Sequence, residues 1–228
     1  MNTSDINSYG DSLIPTTGKH GVDIASQRID DLDREALRQI LELSNTRMNC
    51  LDIGCGFGWQ GIRFATLGAA SYLFDLLPES SLIRNFRENS DLLLSYKKVD
   101  ARQLHPDDLP QPIDLAFSQR FIHYLKYPEA ERLIQILGEN MPANAFFYIS
   151  ASGLHSELGE GYGGANSALP TRFSLLSHSM QVKHDIREPV CLYTEAELIQ
   201  LMTSSKFMER KVWKSTFGNV KGVFQKAL

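Results

Sequence analysis

The chain has 228 residues, a formal net charge of −4 and 43% hydrophobic residues, enough for one substantial domain with its own core and an added cap. No apolar run approaches the roughly 18 residues that a membrane span requires, and the opening MNTSDINSYGDS lacks the basic and apolar regions of a signal peptide. Three cysteines (Cys50, Cys55, Cys191) form no CxxC or zinc spacing, so no disulfide framework or metal site is expected, and the cytoplasm is the expected location.

Residues 1–30 are polar and follow no period, and they read as an N-terminal arm or lid that could bring Tyr9, Lys19 or His20 to a site. Residues 31–228 read as the domain proper. Asp30 or Asp31 can cap a first helix running to about Leu43, with Leu37, Ile40, Leu41 and Ser44 on one side.

The stretch 49–61, NCLDIGCGFGWQG, is an apolar strand that breaks into glycines and then enters a helix over Gln60–Leu67, stopped at Gly68. Glycines let the backbone turn tightly and let a ligand approach closely, and the N–H groups opening the helix favour polar or anionic ligand groups. Gly56, Gly58 and Gly61 match the G-x-G-x-x-G of nicotinamide enzymes. The glycine run begins earlier, however, at Gly54, and Asp52 stands two residues before it.

The second strand, Ala70–Phe74, ends in Asp75, which lies 23 residues beyond Asp52. An acid about 20 residues past the glycine loop is placed to accept ribose hydroxyls. Pro78 opens the next helix, with Leu82, Ile83 and Phe86 on its buried face. A short third strand, Tyr96–Val99, ends in Asp100-Ala101. Strand-end acids thus recur at 52, 75 and 100, where open α/β sheets bind ligands.

The D-x-G-x-G-x-G arrangement, joined to Asp75 and Asp100, resembles the motifs of class I S-adenosylmethionine (SAM) methyltransferases. That resemblance implies a Rossmann-like, doubly wound, seven-stranded, mostly parallel sheet with a C-terminal antiparallel strand, an α/β fold. It implies SAM as cofactor, S-adenosylhomocysteine (SAH) as product, and no metal. Asp52 and Gly54 would meet the amino-acid tail, with Cys55, Gly56 and Gly58 shaping the loop. Asp75 would take the ribose, Leu76 the adenine face, Asp100 with Ala101 the adenine edge, and Gln119 the methionine portion.

A fourth strand, Ile113–Phe117, leads into Ser118-Gln119-Arg120-Phe121-Ile122-His123-Tyr124. The same resemblance places the transferred methyl near this segment, making His123, Arg120 and Tyr124 the catalytic candidates. His123 is a general base by residue type, or it packs in a core-facing turn with Phe121 and Ile122; Arg120 could orient a carboxylate or phosphate. The N-P-P-Y-type tetrapeptide of amino-methylating enzymes is absent. A helix over Glu129–Leu137, ended by Gly138, and a strand over Ala145–Ile149 follow.

Residues 151–190 are too long for a simple connection and read as a substrate-side cap, with a flexible GEGYGG (159–164) and a helix from Arg172 to Lys183. Its His155, His178 and His184 lack metal-site spacing. Thr194-Glu-Ala-Glu197 is a capping box opening a helix. Strands Phe207–Trp213 and Val220–Gln225 then pair through Gly218-Asn219. Six basic residues against one acid in 206–228 form either a stripe that meets phosphates or a solvated face. The acidic remainder favours a small-molecule acceptor over nucleic acid, with no membrane partner. An RNA or protein methyltransferase, a non-catalytic scaffold of the same fold, and a nicotinamide oxidoreductase are the alternatives.

Overall fold

The structure is a computed structural model and describes residues 20–21, 27–43 and 46–228; Tyr9, Lys19 and Ser44 lie outside them. Seven strands form one sheet: β1 (Asn49–Ile53), β2 (Ala70–Asp75), β3 (Leu94–Lys98), β4 (Leu115–Gln119), β5 (Phe146–Ala151), β6 (Phe207–Lys214) and β7 (Val220–Lys226). Their order is β3-β2-β1-β4-β5-β7-β6. The first five run parallel, and β7 inserts antiparallel between β5 and β6. The order reverses between β1 and β4, the position where open sheets of this kind leave a crevice at their carboxyl ends.

Alternation along the strands builds two core layers, because successive side chains point to opposite faces. Leu51 and Ile53 of β1, Ala116 of β4 and Phe147 and Ile149 of β5 face α4 (Tyr127–Asn140) and α6 (Glu195–Thr203). Cys50, Leu115, Phe117 and Tyr148 face α1 (Asp31–Glu42), with Phe64 of α2 (Trp59–Thr66) in the same layer. Leu73 packs with Ile62 of α2 and Ile83 of α3 (Ser81–Asn89) near the β3 edge. No helix among the described residues is long and apolar enough to cross a membrane.

Several expectations are corrected. α1 buries Leu32, Ala36 and Ile40, whereas Leu41 is 57% exposed; its apolar face is rotated from the expected one because Leu32 and Ala36 define it. α3 begins at Ser81, past Pro78, since the Ser80 hydroxyl accepts from the Ile83 N–H and caps the helix there. Gly138 does not end α4. It lies inside, where a Cβ would come within 2.4 Å of the Ser205 carbonyl, so it allows close packing rather than a stop.

The insertion differs most. Residues 172–177 are not helical, and α5 spans only His178–His184. The Arg172 guanidinium is drawn inward to the carbonyls of Ser167 and Leu192 and to Glu197, and Ser174 pairs with Val190 in an extended bridge. The 159–164 segment, expected to be flexible, is packed: Tyr162 is buried and its hydroxyl donates to the Val190 carbonyl. The basic residues of 206–228 are divided, with Lys206, Arg210 and Lys214 exposed and the others engaged. Lys221 is buried against Asp30 and Asp31, Lys211 pairs with Glu35, and Lys226 lies over the Phe207 ring.

Candidate active site

At the carboxyl ends of the parallel strands lies a cavity of about 340 Å³. The glycine loop forms its floor. Gly54 has φ +72°, and a Cβ there would fall 2.3 Å from the Phe121 ring, so the loop and the segment after β4 touch only because no side chain intervenes. A Cβ on Gly56 would meet nothing within 4 Å; that stretch of backbone faces open cavity.

All ten expected cofactor residues except Gly58 line this cavity. Gly58 instead starts α2, wedged against Leu73 and Ile83. Asp52 is 3% exposed. Burial pushes its carboxyl up to about 8, with Asp33 and Asp75 adding to the effect against the Gly61 N–H. Asp75 accepts from the Gly56 and Leu77 amides, each at 2.9 Å, so one carboxylate ties the glycine loop to the end of β2. Leu76 beside it is 44% exposed, and Ala101 is buried. Asp100 is engaged by Arg102 through Nε at 2.9 Å and Nη2 at 2.8 Å, and that hydrogen-bonded pair holds its pKa low.

The opposite wall holds the three catalytic candidates. Arg120 follows β4 in the left-handed region at φ +51°, pinned there by its N–H donating to the Ser150 carbonyl and hydroxyl, both at 3.0 Å. His123 is 2% exposed in a short 3-10 turn over Ile122–Tyr124. Burial, then the charges of Arg120 and His20, lower its pKa to about 3, and its Nδ1 has no hydrogen-bond partner among the described residues. Both readings of His123 therefore meet in one place, since the ring packs in the turn and also lines the cavity. It is neutral at physiological pH and, unassisted, a weak proton acceptor. The Tyr124 hydroxyl donates to the His20 carbonyl at 2.7 Å, and His20 bridges Ile186 of the insertion. Residues of the N-terminal arm and the insertion thus join over the same wall.

Sequence reasoning missed a second set of residues. Asp30 caps α1 and also accepts from Gln119 Nε2 at 2.7 Å and Lys221 Nζ at 2.6 Å. Asp33 is buried, with one oxygen unpartnered among the described residues, and burial beside Asp30 raises its pKa to about 6. Gln60, among the cavity-lining residues, presents a buried Nε2 with no partner among the described residues. Arg28 stacks 4.1 Å over the Phe217 ring, and both line the cavity. Only the helix-cap role of Asp30 was visible in the sequence. Among the described residues no group of three His, Cys, Asp or Glu side chains could hold a metal ion.

No protein-family model matches the chain, and no curated protein matches its sequence. Solved structures do match. A SAM-dependent methyltransferase from Clostridium acetobutylicum superposes with a TM-score of 0.66 at 10% identity, over 90% of this chain and 95% of that one. The 1,6-didemethyltoxoflavin-N1-methyltransferase of Burkholderia thailandensis, bound to 1,6-didemethyltoxoflavin and SAH, gives 0.62 at 16% identity, over 87% and 79%. The magnesium protoporphyrin IX methyltransferase of Synechocystis PCC 6803, with bound SAH, gives 0.62 at 14% identity, over 96% and 91%. The chain has the class I methyltransferase fold.

In a methyltransferase fold the donor set suits the amino-acid end of SAM. A buried acid at Asp52, an unsatisfied amide donor at Gln60 and a backbone loop open to the cavity at Gly56 complement an ammonium and a carboxylate. A pyrophosphate would instead meet the acid.

Proposed function

We propose that the chain transfers the methyl group of SAM to a small-molecule acceptor by in-line displacement. The observation that carries this reading is the convergence of Asp52, Asp75 and Asp100 from three neighbouring strands on one glycine-floored cavity. Asp52, with Gly54 and Gln60, would hold the amino-acid tail, Gln119 the methionine portion, Asp75 the ribose, Leu76 the adenine face, and Asp100 and Ala101 the adenine edge. Cys55 and Gly56 shape the loop between them.

When bound, SAM supplies an already activated methyl group, so the chain mainly has to align the acceptor and exclude water. Phe121 and Tyr124, with Leu158 and Ile186 from the insertion, offer an apolar wall for that. The 151–190 insertion acts as the cap that sets acceptor choice, and His20 bridges to it at Ile186. His123 would take a proton only from an acceptor that arrives protonated. Three free cysteines are compatible with a cytoplasmic location. The RNA or protein alternative has less support, because Lys211, Lys221 and Lys226 are engaged in separate places and leave Lys206, Arg210 and Lys214 for it.

Calorimetric titration of the purified chain with SAM, SAH and NAD tests the reading. Saturable heat with both adenosyl ligands and none with NAD is expected. Heat with NAD alone would return the motif to nicotinamide chemistry, and silence with all three would leave a scaffold.

A further inference from the structure

Arg120 is the least explained charge in the cavity. Four acids line the same space, and each has a partner elsewhere or lies on the cofactor side. Asp52 is buried beneath the loop, Asp75 holds two backbone amides, Asp100 holds Arg102, and Glu157 holds Lys183, with His184 at 3.3 Å. Asp185, close to this wall, pairs with Arg187. The Arg120 side chain makes no ion pair or hydrogen bond with any described residue. Its charge nevertheless reaches the acceptor wall, where it is felt by His123, Tyr124 and His184.

The backbone adds a second observation. A non-glycine residue in the left-handed region is strained, and here that conformation is fixed by two hydrogen bonds to Ser150. The turn sets Arg120 on the cavity wall, and although Asp30 and Asp33 border a small adjoining cavity with it, no described carboxylate pairs with its guanidinium. A planar guanidinium is suited to a carboxylate or phosphate held by two parallel hydrogen bonds.

We propose that the acceptor is an anion, a small molecule with an apolar body whose carboxylate or phosphate seats on Arg120. The proposal rests on the methyl-transfer reading and narrows its substrate class. Seating an anion there would offset the Arg120 charge, which adds to burial in keeping His123 neutral, so the same contact would make that imidazole a better proton acceptor. Neutral acceptors would lack both effects.

The test uses the full chain saturated with SAH, titrated with benzoate, phenyl phosphate and neutral benzamide, in the natural sequence and in Arg120→Gly. Glycine accepts the left-handed backbone and keeps the N–H to Ser150, so this variant should fold, with a melting temperature within a few degrees of the parent. At least one anion should bind and benzamide should not. Arg120→Gly should weaken the anion tenfold or more while leaving SAH affinity unchanged. Which anion binds identifies the headgroup. Benzamide binding as well as benzoate, failure of both anions, or equal anion affinity in the variant would overturn the proposal. So would an equal loss of SAH affinity, which would put the guanidinium on the cofactor's own carboxylate. If SAH itself fails to bind the natural chain, the methyl-transfer reading falls, and anion titration of the unliganded chain still tests the Arg120 seat alone.

Discussion

At the glycine-loop end of the cavity, Asp52, Asp75 and Asp100 stand at the ends of three adjacent strands. At the insertion end, Arg120 stands among His123, Tyr124 and His184. The first end is made by the regular part of the fold: parallel strands deliver acids at a fixed spacing, and backbone amides hold them. The second is made by a strained turn, an insertion and two residues of the N-terminal arm. One cavity thus joins an end built from regular strands to an end built from a turn and an insertion, and substitutions should affect the two separately.

The largest effect is expected at Asp75. Asp75→Ala removes the ribose acceptor and releases the Gly56 and Leu77 amides together, and SAM affinity measured by calorimetry should fall by about 100-fold, in line with 1.5–3 kcal/mol per charged hydrogen bond. Asp100→Ala should cost less, about tenfold, because Arg102 already competes for that carboxylate. Neither change should alter anion affinity at Arg120. If it did, the two ends would not be independent.

Asp52 sharpens the comparison through pH. Its carboxyl titrates near 8 in the native state against 3.8 for an ordinary aspartate. Between those values the native state holds the extra proton, so raising the pH through this window destabilises the unliganded protein. Asp52→Asn should therefore raise the melting temperature at pH 8 by about 3 °C or more and have little effect near pH 4, while weakening SAM binding. An ammonium arriving beside Asp52 should also expel that proton. Titrations at pH 7 in buffers of different ionisation enthalpy should register a net release approaching one proton, and the asparagine variant should lose that release. The smallest effect is expected from Arg102→Ala, which frees Asp100 and should change SAM affinity by no more than about threefold, the scale of an exposed ion pair.

The glycine-loop end was readable in the sequence because its chemistry is local. Asp52, Gly54 and Gly56 fall within five residues, and Asp75 and Asp100 close the next two strands. The capping box at Thr194 and the β6–β7 pairing were readable for the same reason. What sequence periodicity could not supply was contact across the chain. The Gln119–Asp30 hydrogen bond spans 89 positions, and nothing near either residue announces the other. Phe121 over Gly54 and Ser205 over Gly138 are likewise meetings of distant segments; the second turned an apparent helix stop into a helix interior. The insertion was misread where a buried guanidinium at Arg172 outweighed an apolar spacing that suggested a helix.

One further consequence follows from Lys221. It is buried in β7 and supplies the cation for Asp30 and Asp31, residues that precede it by 191 and 190 positions. The start of α1 and its counter-charge are therefore far apart in the chain. The charged end of α1 thus gains its counter-charge only with β7 in place, which couples the first helix to the antiparallel side of the sheet.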